Sequence, residues 1–239
     1  MNYKNTNINT IYCVIILLIV FYCIRFVNEI PNKAIKTSLE KDGYIVFSTS
    51  SKHNPLNSLP KNYAFIDYEY SIRGCTLSTF HRDVTSSQYE YKTSHPVYTF
   101  ITYKNKGDLL SVCEGSHKTT PYLYSSPKTI SGNENTSILF NCDLVHAGAL
   151  SNLGKMRHAI QYKIAHKDDM KKLKHLVGIK KEKRGNCDNT QSKSMAVRNC
   201  SLLFSHVVNH IFTPYLQKNQ HDILNDIVIK VSGTNFYNK

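Results

Sequence analysis

The longest run of apolar side chains lies close to the amino terminus. Residues 11–24 read IYCVIILLIVFYCI, and two further apolar residues after Arg25 extend the run to residue 27. A membrane-spanning helix needs about 20 residues, and about 17 are enough only if Arg25 extends to the headgroups. A buried core helix would keep a polar face, and a cleaved signal peptide would end in small residues; the run shows neither. The pattern therefore predicts a short tail, residues 1–10, and a retained transmembrane anchor, residues 11–27.

After residue 36 the pattern changes to short runs of β-branched and aromatic residues, separated by turn residues. These runs give the strand candidates 44–47, 75–80, 97–103, 109–113, 137–141 and 157–164. A short helix is expected at residues 37–41, before the Asp42-Gly43 turn. Long helical periods do not occur between residues 63 and 166, so the pattern predicts a mainly β domain at residues 36–166, a small sandwich or barrel.

The carboxyl-terminal part of the chain is basic and more helical in pattern. Residues 167–184 carry eight Lys or Arg and three acidic residues, and a polar linker is expected at 185–194. Apolar residues then recur at helical spacing in residues 195–217 and 221–231. The pattern predicts a basic, partly helical extension at residues 167–239.

The composition adds a positive charge that bears on partners. In the 239 residues, 30 Lys and Arg face 17 Asp and Glu, a net charge of +13. This favours nucleic acid or anionic lipid as a partner without choosing between them. The basic run 167–184 contains no aromatic side chains on which bases could stack, so nucleic acid is not expected. A solvated charged face and, given the predicted anchor, a patch facing the membrane both remain open.

The charges that flank the predicted anchor bear on its orientation. Lys4 precedes the run, whereas Arg25, Lys33 and Lys36 follow it, which favours a cytoplasmic C-terminal domain in a single-pass membrane protein. Two glycosylation sequons, at Asn135 and Asn199, leave a lumenal location open.

The cysteines are scattered rather than paired in motifs. Seven of them occur, at positions 13, 23, 75, 113, 142, 187 and 200, and no C-x-x-C is present. A zinc knuckle or a thioredoxin-type site is therefore not supported, and buried thiols in a reducing compartment are expected.

Three residue types that suit a metal centre recur in the β region. Alternate residues of a strand point to one face, so His81 and Asp83 project together, and a distant His146 can complete the set. Two histidines and one carboxylate on one face suit non-haem Fe(II) and leave open coordination positions. The alternative is a chance His-x-Asp, because the chain has 11 histidines. A kinase catalytic loop is excluded, because Gln88 stands where Asn is required and no D-F-G motif occurs.

Other short sequence motifs occur before, between and after His81, Asp83 and His146. They are Leu39-Glu40-Lys41-Asp42-Gly43-Tyr44-Ile45-Val46, Phe80-His81-Arg82-Asp83, Lys106-Gly107-Asp108, Glu114-Gly115-Ser116-His117, Asp143-Leu144-Val145-His146-Ala147-Gly148 and Arg157-His158-Ala159-Ile160. In this order, over residues 36–166, the chain resembles the phytanoyl-CoA dioxygenase-like branch of the 2-oxoglutarate, Fe(II)-dependent oxygenases.

The resemblance implies a fold and a ligand set. The fold would be a double-stranded β-helix, a jelly-roll or cupin-like barrel with flanking helices. His81, Asp83 and His146 would bind the iron, and no further catalytic residue is implied. Arg157, eleven residues after His146, would bind the distal carboxylate of 2-oxoglutarate, since a guanidinium binds a carboxylate in a bidentate manner.

At other positions the chain agrees less well with the family pattern. Thr99 or Thr102 would face the cavity and bind the cosubstrate, with Thr99 preferred; ordinary strand threonines are the alternative. Gly148 stands where the family often has Ser, and Glu114 where it usually has Pro. His117 belongs to a structural turn in the family and is left out of the metal site.

The implied activity is that of a membrane-anchored dioxygenase. With Fe(II), O₂ and 2-oxoglutarate, it would hydroxylate a small-molecule or lipid-like substrate and release succinate and CO₂. Peptidyl hydroxylation by related branches stays open, although those enzymes usually have Lys where this chain has Arg157. The alternatives are a catalytically silent barrel that serves as a binding module and a basic, membrane-tethered interaction protein. The substrate and the oligomeric state cannot be deduced from the sequence.

Overall fold

A computed structural model describes residues 37–48, 54–75, 78–119, 126–150, 156–184 and 191–207, together with five isolated positions before them. The strands are β1 Ile30–Pro31, β2 Tyr44–Phe47, β3 Tyr63–Gly74, β4 Tyr98–Tyr103, β5 Gly107–Val112, β6 Lys128–Gly132, β7 Ser137–Asn141, β8 His146–Gly148, β9 Arg157–His166 and β10 Ile179–Arg184. The helices are α1 Gln88–Tyr91, α2 Gln191–Leu203 and α3 Ser205–Val207, with short 3₁₀ helices at Pro55–Ser58, Val84–Ser86, Ser116–Lys118 and Lys167–Leu176.

The strands form two sheets that face each other. The six-stranded sheet has the order β10-β3-β9-β4-β7-β2, and the four-stranded sheet has the order β1-β6-β5-β8. Neighbours are antiparallel except for the pairs β10–β3 and β1–β6. Side chains of both sheets share one buried core, among them Tyr44, Ile101, Ile138, Leu110, Val112 and Ile130. The prediction of a mainly β domain with few helices is confirmed.

Strand alternation decides which side chains face the second sheet. In β4 the inward residues include Thr99 and Tyr103, and both are buried. β9 pairs with β4 so that Thr99 lies opposite Lys163 and Tyr103 opposite Ala159. Residues of β9 that differ by an even number from Lys163 therefore point inward, and Arg157 is one of them.

Several elements differ from the pattern-based prediction. The strand expected at 75–80 does not occur at the described positions of this range: β3 ends at Gly74, and residues 78–80 lie in a loop. The short helix expected at 37–41 is a turn in which the N–H of Asp42 donates to the carbonyl of Ser38 at 2.8 Å. The sheet also continues past residue 166, because β10 pairs in parallel with β3. In the sequence, β10 is rich in Lys and looks like a solvent-exposed basic segment. The alternation of its inward and outward residues is therefore not visible in the hydrophobic pattern.

The predicted membrane localisation needs correction. Of residues 11–27, only Tyr12, Ile15 and Ile16 are described, so the predicted anchor lies almost wholly outside the described residues. Within the part of the chain that is described, no helix is both long and apolar enough to cross a bilayer. The single-pass assignment, and the orientation argued from it, therefore have no structural support. The predicted helix at residues 221–231 also lies outside the described part.

The cysteines follow the expectation only in part. Cys113 and Cys142 are buried free thiols, as predicted, and Cys200 is a half-buried free thiol. Cys75 instead takes part in a disulfide bond. The prediction of unpaired thiols throughout is therefore wrong at Cys75, because a fold can join cysteines whose separation in sequence gives no sign of pairing.

The turn before β2 requires glycine for two reasons. Gly43 has a φ of 91°, in the region where L side chains are strained. A Cβ at this position would also lie 2.6 Å from Nδ1 of His117 and 2.8 Å from Cδ1 of Leu144. The turn thus brings the start of β2 against the segment that leads to the candidate site.

We expect Gly43→Ala to destabilise the fold more than Gly178→Ala, in which the added Cβ causes backbone strain but no close contact. Gly178 has a φ of 81° and no atom within 4 Å of a built Cβ, so Gly178→Ala should cost about 1 kcal/mol through backbone strain alone. Gly43→Ala should cost about 1–3 kcal/mol more because of the close contacts. Urea unfolding at neutral pH measures both values, and equal losses would show that the contacts at Gly43 relax freely.

Candidate metal centre

His81 and His146 lie side by side because their backbones pair. His81 follows β3 in a loop and forms an isolated antiparallel bridge with His146, the first residue of β8. The N–H of each residue donates to the carbonyl of the other at 2.9 Å. The two imidazole rings, 65 positions apart in the sequence, are therefore held with their centroids 4.6 Å apart.

Asp83 completes the set from the same loop. Its backbone N–H donates to the carbonyl of Cys142 at 2.8 Å. Its Oδ1 lies 3.9 Å from Nε2 of His81 and 3.7 Å from Nε2 of His146. One ligand atom from each residue lies within 4.8 Å of the others, so small side-chain rotations bring all three to the ~2.1 Å of a common ion. The structure thus brings the predicted triad together.

Nδ1 of each ring already forms a hydrogen bond with a backbone carbonyl. Nδ1 of His81 lies 2.7 Å from the carbonyl of Thr79, and Nδ1 of His146 lies 2.8 Å from the carbonyl of Leu144. A carbonyl only accepts, so each Nδ1 carries the hydrogen and each Nε2 keeps a lone pair that points at Asp83. This is the tautomer that a metal ligand needs.

Burial keeps both rings neutral. Desolvation, and after it the neighbouring His81, lower the pKa of His146 to about 4, although Asp83 opposes the shift. Desolvation also lowers the pKa of His81, again against the effect of Asp83. Both imidazoles are therefore free of a competing proton at neutral pH, which favours a cation at Nε2.

The second oxygen of Asp83 is held by a lysine that the sequence reasoning missed. Lys163 is 1% exposed, and its Nζ donates to Oδ2 of Asp83 at 2.6 Å and to Oγ1 of Thr99 at 2.7 Å. Burial raises the pKa of Asp83, but Lys163 and the two histidines lower it more, so that the net pKa lies well below its usual range. Counting alternate residues from Arg157 along β9 would have placed Lys163 on the inward face.

The predicted cosubstrate residue Thr99 has a different partner here. Its hydroxyl donates to Oδ2 of Asp83 at 2.5 Å. Thr99 therefore orients the carboxylate together with Lys163 and leaves Oδ1 to face the rings. Thr102 lies on the opposite face of β4, where its hydroxyl is 2.8 Å from that of Ser137. A direct role of Thr99 toward 2-oxoglutarate stays a prediction.

Arg157 reaches the same face of the site as His146. Gly148 lies two residues after His146 in β8, so both positions point inward, about 7 Å apart along the strand. A Cβ at position 148 would overlap the guanidinium of Arg157. Gly148 stands where the resemblance implies Ser. Because glycine has no side chain, the guanidinium of Arg157 can occupy that space. Among the described residues, no carboxylate forms an ion pair with Arg157.

His117, which the sequence reasoning set aside, lies outside the metal centre. Its Nε2 is 3.2 Å from the carbonyl of Glu40, in the turn beneath Gly43. Arg82, between the two loop ligands, points away from them and donates to the carbonyl of Ser116 at 2.9 Å. Both residues therefore support the loop that carries the ligands.

A second group of ligand-type side chains, His95, His166 and Asp169, occurs in the described part of the chain. Its imidazole rings are stacked with centroids 3.8 Å apart and planes inclined by 25°. A metal must lie in the plane of each ring that binds it, and near-parallel planes do not meet within coordination distance. Asp169 moreover accepts from the N–H groups of Ser94 and His95 at 2.8 and 2.9 Å. This group is a structural contact.

Comparisons with known proteins give little beyond this geometry. No family model and no curated protein matches the chain. HygX from Streptomyces hygroscopicus with nickel and 2-oxoglutarate bound shares 11% identity over 54% of this chain and 84% of that chain, with a TM-score of 0.41. EvdO2 from Micromonospora carbonacea var. aurantiaca shares 11% identity over 46% of this chain and 55% of that chain, with a TM-score of 0.37. The matched part spans only 29% of EvdMO1, at a TM-score of 0.38. With TM-scores below 0.5, these likenesses carry no argument about activity.

We expect the stability of the metal-free protein to fall between pH 6.5 and pH 4. The folded-state pKa of His146 is about 4 and its ordinary value is 6.5, so only the unfolded chain takes up this proton in that window. His146→Gln should remove about 3 kcal/mol of this pH dependence. Urea unfolding at four pH values measures it, and an unchanged pH dependence would contradict a buried, neutral His146.

We expect Lys163→Met to destabilise the metal-free protein by about 3–5 kcal/mol at pH 7, because it leaves Asp83 buried without its cation. The lowered pKa of Asp83 means that the stabilisation is present above pH 3.8 and is lost as the pH falls through the folded-state value. The difference from wild type should therefore shrink below pH 4. Lys171→Met, at an exposed position, is the control, and equal effects of both substitutions would contradict the ion pair.

Proposed function

We propose that the protein is a non-haem Fe(II), 2-oxoglutarate-dependent dioxygenase. It would hydroxylate a small-molecule or lipid-like substrate and release succinate and CO₂. The observation that carries this proposal is that two unprotonated imidazole nitrogens and one carboxylate oxygen lie on one face. The guanidinium of Arg157 lies against Gly148, which is two strand positions from His146. The double-stranded β-helix and the phytanoyl-CoA dioxygenase-like branch belong to the same proposal, which the two facing sheets support.

The donor set favours Fe(II) over other common ions. Two histidines and one carboxylate in a facial arrangement suit non-haem iron, whereas structural zinc sites use four protein ligands and prefer thiolates. Sγ of Cys142 lies 3.3 Å from the hydroxyl of Thr99. Burial raises the pKa of this thiol to about 11, so it stays protonated and is a poor ligand. Bound iron would supply open positions at which the cosubstrate and O₂ bind.

The residues of this chain would then orient the cosubstrate. The guanidinium of Arg157 can bind the distal carboxylate of 2-oxoglutarate in a bidentate manner, while the keto acid end lies toward the triad. Lys163 and Thr99 keep the second oxygen of Asp83 away from the ion. The buried rings of Phe140 and Tyr103 exclude water from this part of the site.

A catalytically silent barrel is the second candidate, and one observation favours it. Lys163 already neutralises Asp83, so the metal-free site is not a cluster of unpaired charge. A relative that serves only as a binding module would gain stability from such a pair. Metal binding and turnover of 2-oxoglutarate separate the two candidates.

We expect a visible charge-transfer band when the full chain is mixed with Fe(II) and 2-oxoglutarate without oxygen. His81→Ala should abolish the band because it removes one of three ligands. Arg157→Ala should weaken 2-oxoglutarate binding about tenfold to a hundredfold, because a bidentate charged contact is lost. Addition of O₂ should then release succinate.

Two matched variants keep this experiment specific. His95→Ala removes a histidine of the stacked group, and Arg73→Ala removes an exposed guanidinium that lies 3.5 Å from Glu182 on the opposite face. Both should leave the band unchanged. Folded protein that gives no band would end the oxygenase proposal, and a band without succinate would favour the silent barrel.

A further inference from the structure

The back of the two histidine-bearing segments packs on α2, in the carboxyl-terminal extension. The ring of His146 points toward Asp83, so its chain neighbours Val145 and Ala147 point to the opposite side. These two neighbours form a buried cluster with Phe80, which precedes the other histidine ligand, and with Leu202 of α2. The extension therefore covers the side of the metal centre that faces away from the ligand atoms.

Arg198 of α2 joins the two segments through their backbones. It is 1% exposed, and its Nη1 donates to the carbonyl of Ser78 at 2.6 Å and to the carbonyl of Gly148 at 2.8 Å. Ser78 lies three residues before His81, and Gly148 lies two residues after His146. One guanidinium nitrogen thus links the loop of one histidine ligand to the strand of the other.

These contacts occur where the backbone pairing of the two segments ends. An antiparallel ladder that continued from the His81–His146 pair would bring Thr79 opposite Gly148. The structure has an isolated bridge instead, and β8 is the edge strand of its sheet. A single bridge leaves the loop free to pivot on the strand, so the spacing of the two segments needs a contact beyond the bridge. Arg198 provides that contact.

The same face of α2 also holds the residue next to His81. Ser201 follows Arg198 by three positions, so the two side chains are neighbours on the helix surface. Its hydroxyl accepts from the backbone N–H of Phe80 at 2.8 Å and donates to the carbonyl of Arg198 at 2.6 Å. Cζ of Arg198 lies 4.4 Å from the centroid of the Phe80 ring. Two side chains of α2 therefore fix the chain direction just before the ligand.

The chemistry of Arg198 fits this linking role better than simple packing. A guanidinium that leaves water is costly unless its N–H groups find acceptors, and an apolar side chain would fill the same space without that cost. The planar fork of donors in arginine can serve acceptors on two segments at once. A buried arginine is therefore explained by the two carbonyls that it joins.

We propose that Arg198 is a positioning residue of the metal centre, which holds the loop of His81 against β8 at the spacing that one shared ion requires. Ser201 supports it through Phe80. The basic carboxyl-terminal extension is thus part of the architecture of the site. The inference rests on the proposed function for the ion itself, whereas the backbone arrangement that Arg198 stabilises is present in the metal-free protein.

The first test uses the metal-free full chain. Hydrogen exchange followed by NMR measures how often the amides of His81 and His146, which form the bridge, open to water. We expect Arg198→Met to speed this exchange about tenfold to a hundredfold, because hydrogen bonds from a charged group are lost. Ser201→Ala should have a smaller effect in the same direction, because it removes only the contact to Phe80.

Leu139→Ala is the matched control for stability. Leu139 is fully buried, but it lies opposite Phe100 of β4, on the outer side of the six-stranded sheet. Its truncation should lower the Tm by leaving a cavity, without contact to the two ligand segments. It should therefore leave the local opening of the His81 and His146 amides unchanged.

The second test measures the metal. Calorimetry gives the Kd of Co(II) for the full chain, and the Co(II) absorption spectrum reports the ligand geometry. We expect Arg198→Met to raise this Kd about tenfold and to change the spectrum, because the two imidazoles are no longer held at one spacing. Arg198→Lys, which keeps a donor for one carbonyl, should recover part of the affinity and serves, with Ser201→Ala, if Arg198→Met does not fold. Leu139→Ala should leave the Kd and the spectrum unchanged.

Two results would overturn the inference. One is equal exchange of the bridge amides in Arg198→Met and Leu139→Ala, which would reduce Arg198 to a general contributor to stability. The other is a Co(II) Kd and spectrum that Arg198→Met leaves as in the wild type. A wild type that binds no Co(II) would instead contradict the proposed function, and the exchange of the bridge amides would still decide the role of Arg198.

Discussion

The backbone bridge between His81 and His146 is the constraint on which the site depends. Two reciprocal hydrogen bonds of 2.9 Å fix a loop residue against the first residue of β8. Each ring is then anchored through Nδ1 to a carbonyl two residues before it, so the direction of each Nε2 follows from the backbone. Asp83 follows His81 by two residues in the same loop, so its carboxylate lies close to the Nε2 atoms of both rings. The geometry is therefore built into the main chain before any ion binds.

The stability of this arrangement depends on the buried carboxylate of Asp83. Asp83 would be costly in the interior without a cation, and Lys163 provides one from the neighbouring sheet. The same contact leaves Oδ1 as the oxygen that faces the histidines. An ion bound by the proposed triad would share Asp83 with an ammonium group, and its affinity would then depend on the fold of β9. It also explains how the metal-free protein can be folded with its ligand atoms gathered together.

β10 extends the six-stranded sheet beyond the predicted β domain, residues 36–166. β10 adds a strand to the six-stranded sheet, and its inward lysines face the same space as Arg157. In the sequence, this strand reads IKKEKR and resembles a solvated basic run, because lysine is mostly found at the surface. Only the pairing with β3 turns alternate lysines of that run toward the inner face of the sheet. The same reasoning applies to Lys163, which lies in an otherwise half-apolar strand.

The sequence alone determined the local part of this protein. The spacing of His81 and Asp83 kept these two side chains within two residues of each other, although they lie in a loop and not in the strand that the prediction assumed. The β-branched runs predicted a mainly β fold, because strand patterns follow from the geometry of neighbouring residues. The tertiary structure decided what depends on distant pairing: that the backbone of His146 pairs with that of His81, that Lys163 binds Asp83, and that Gly148 makes room for Arg157. Such contacts arise from strand register, which one sequence does not specify.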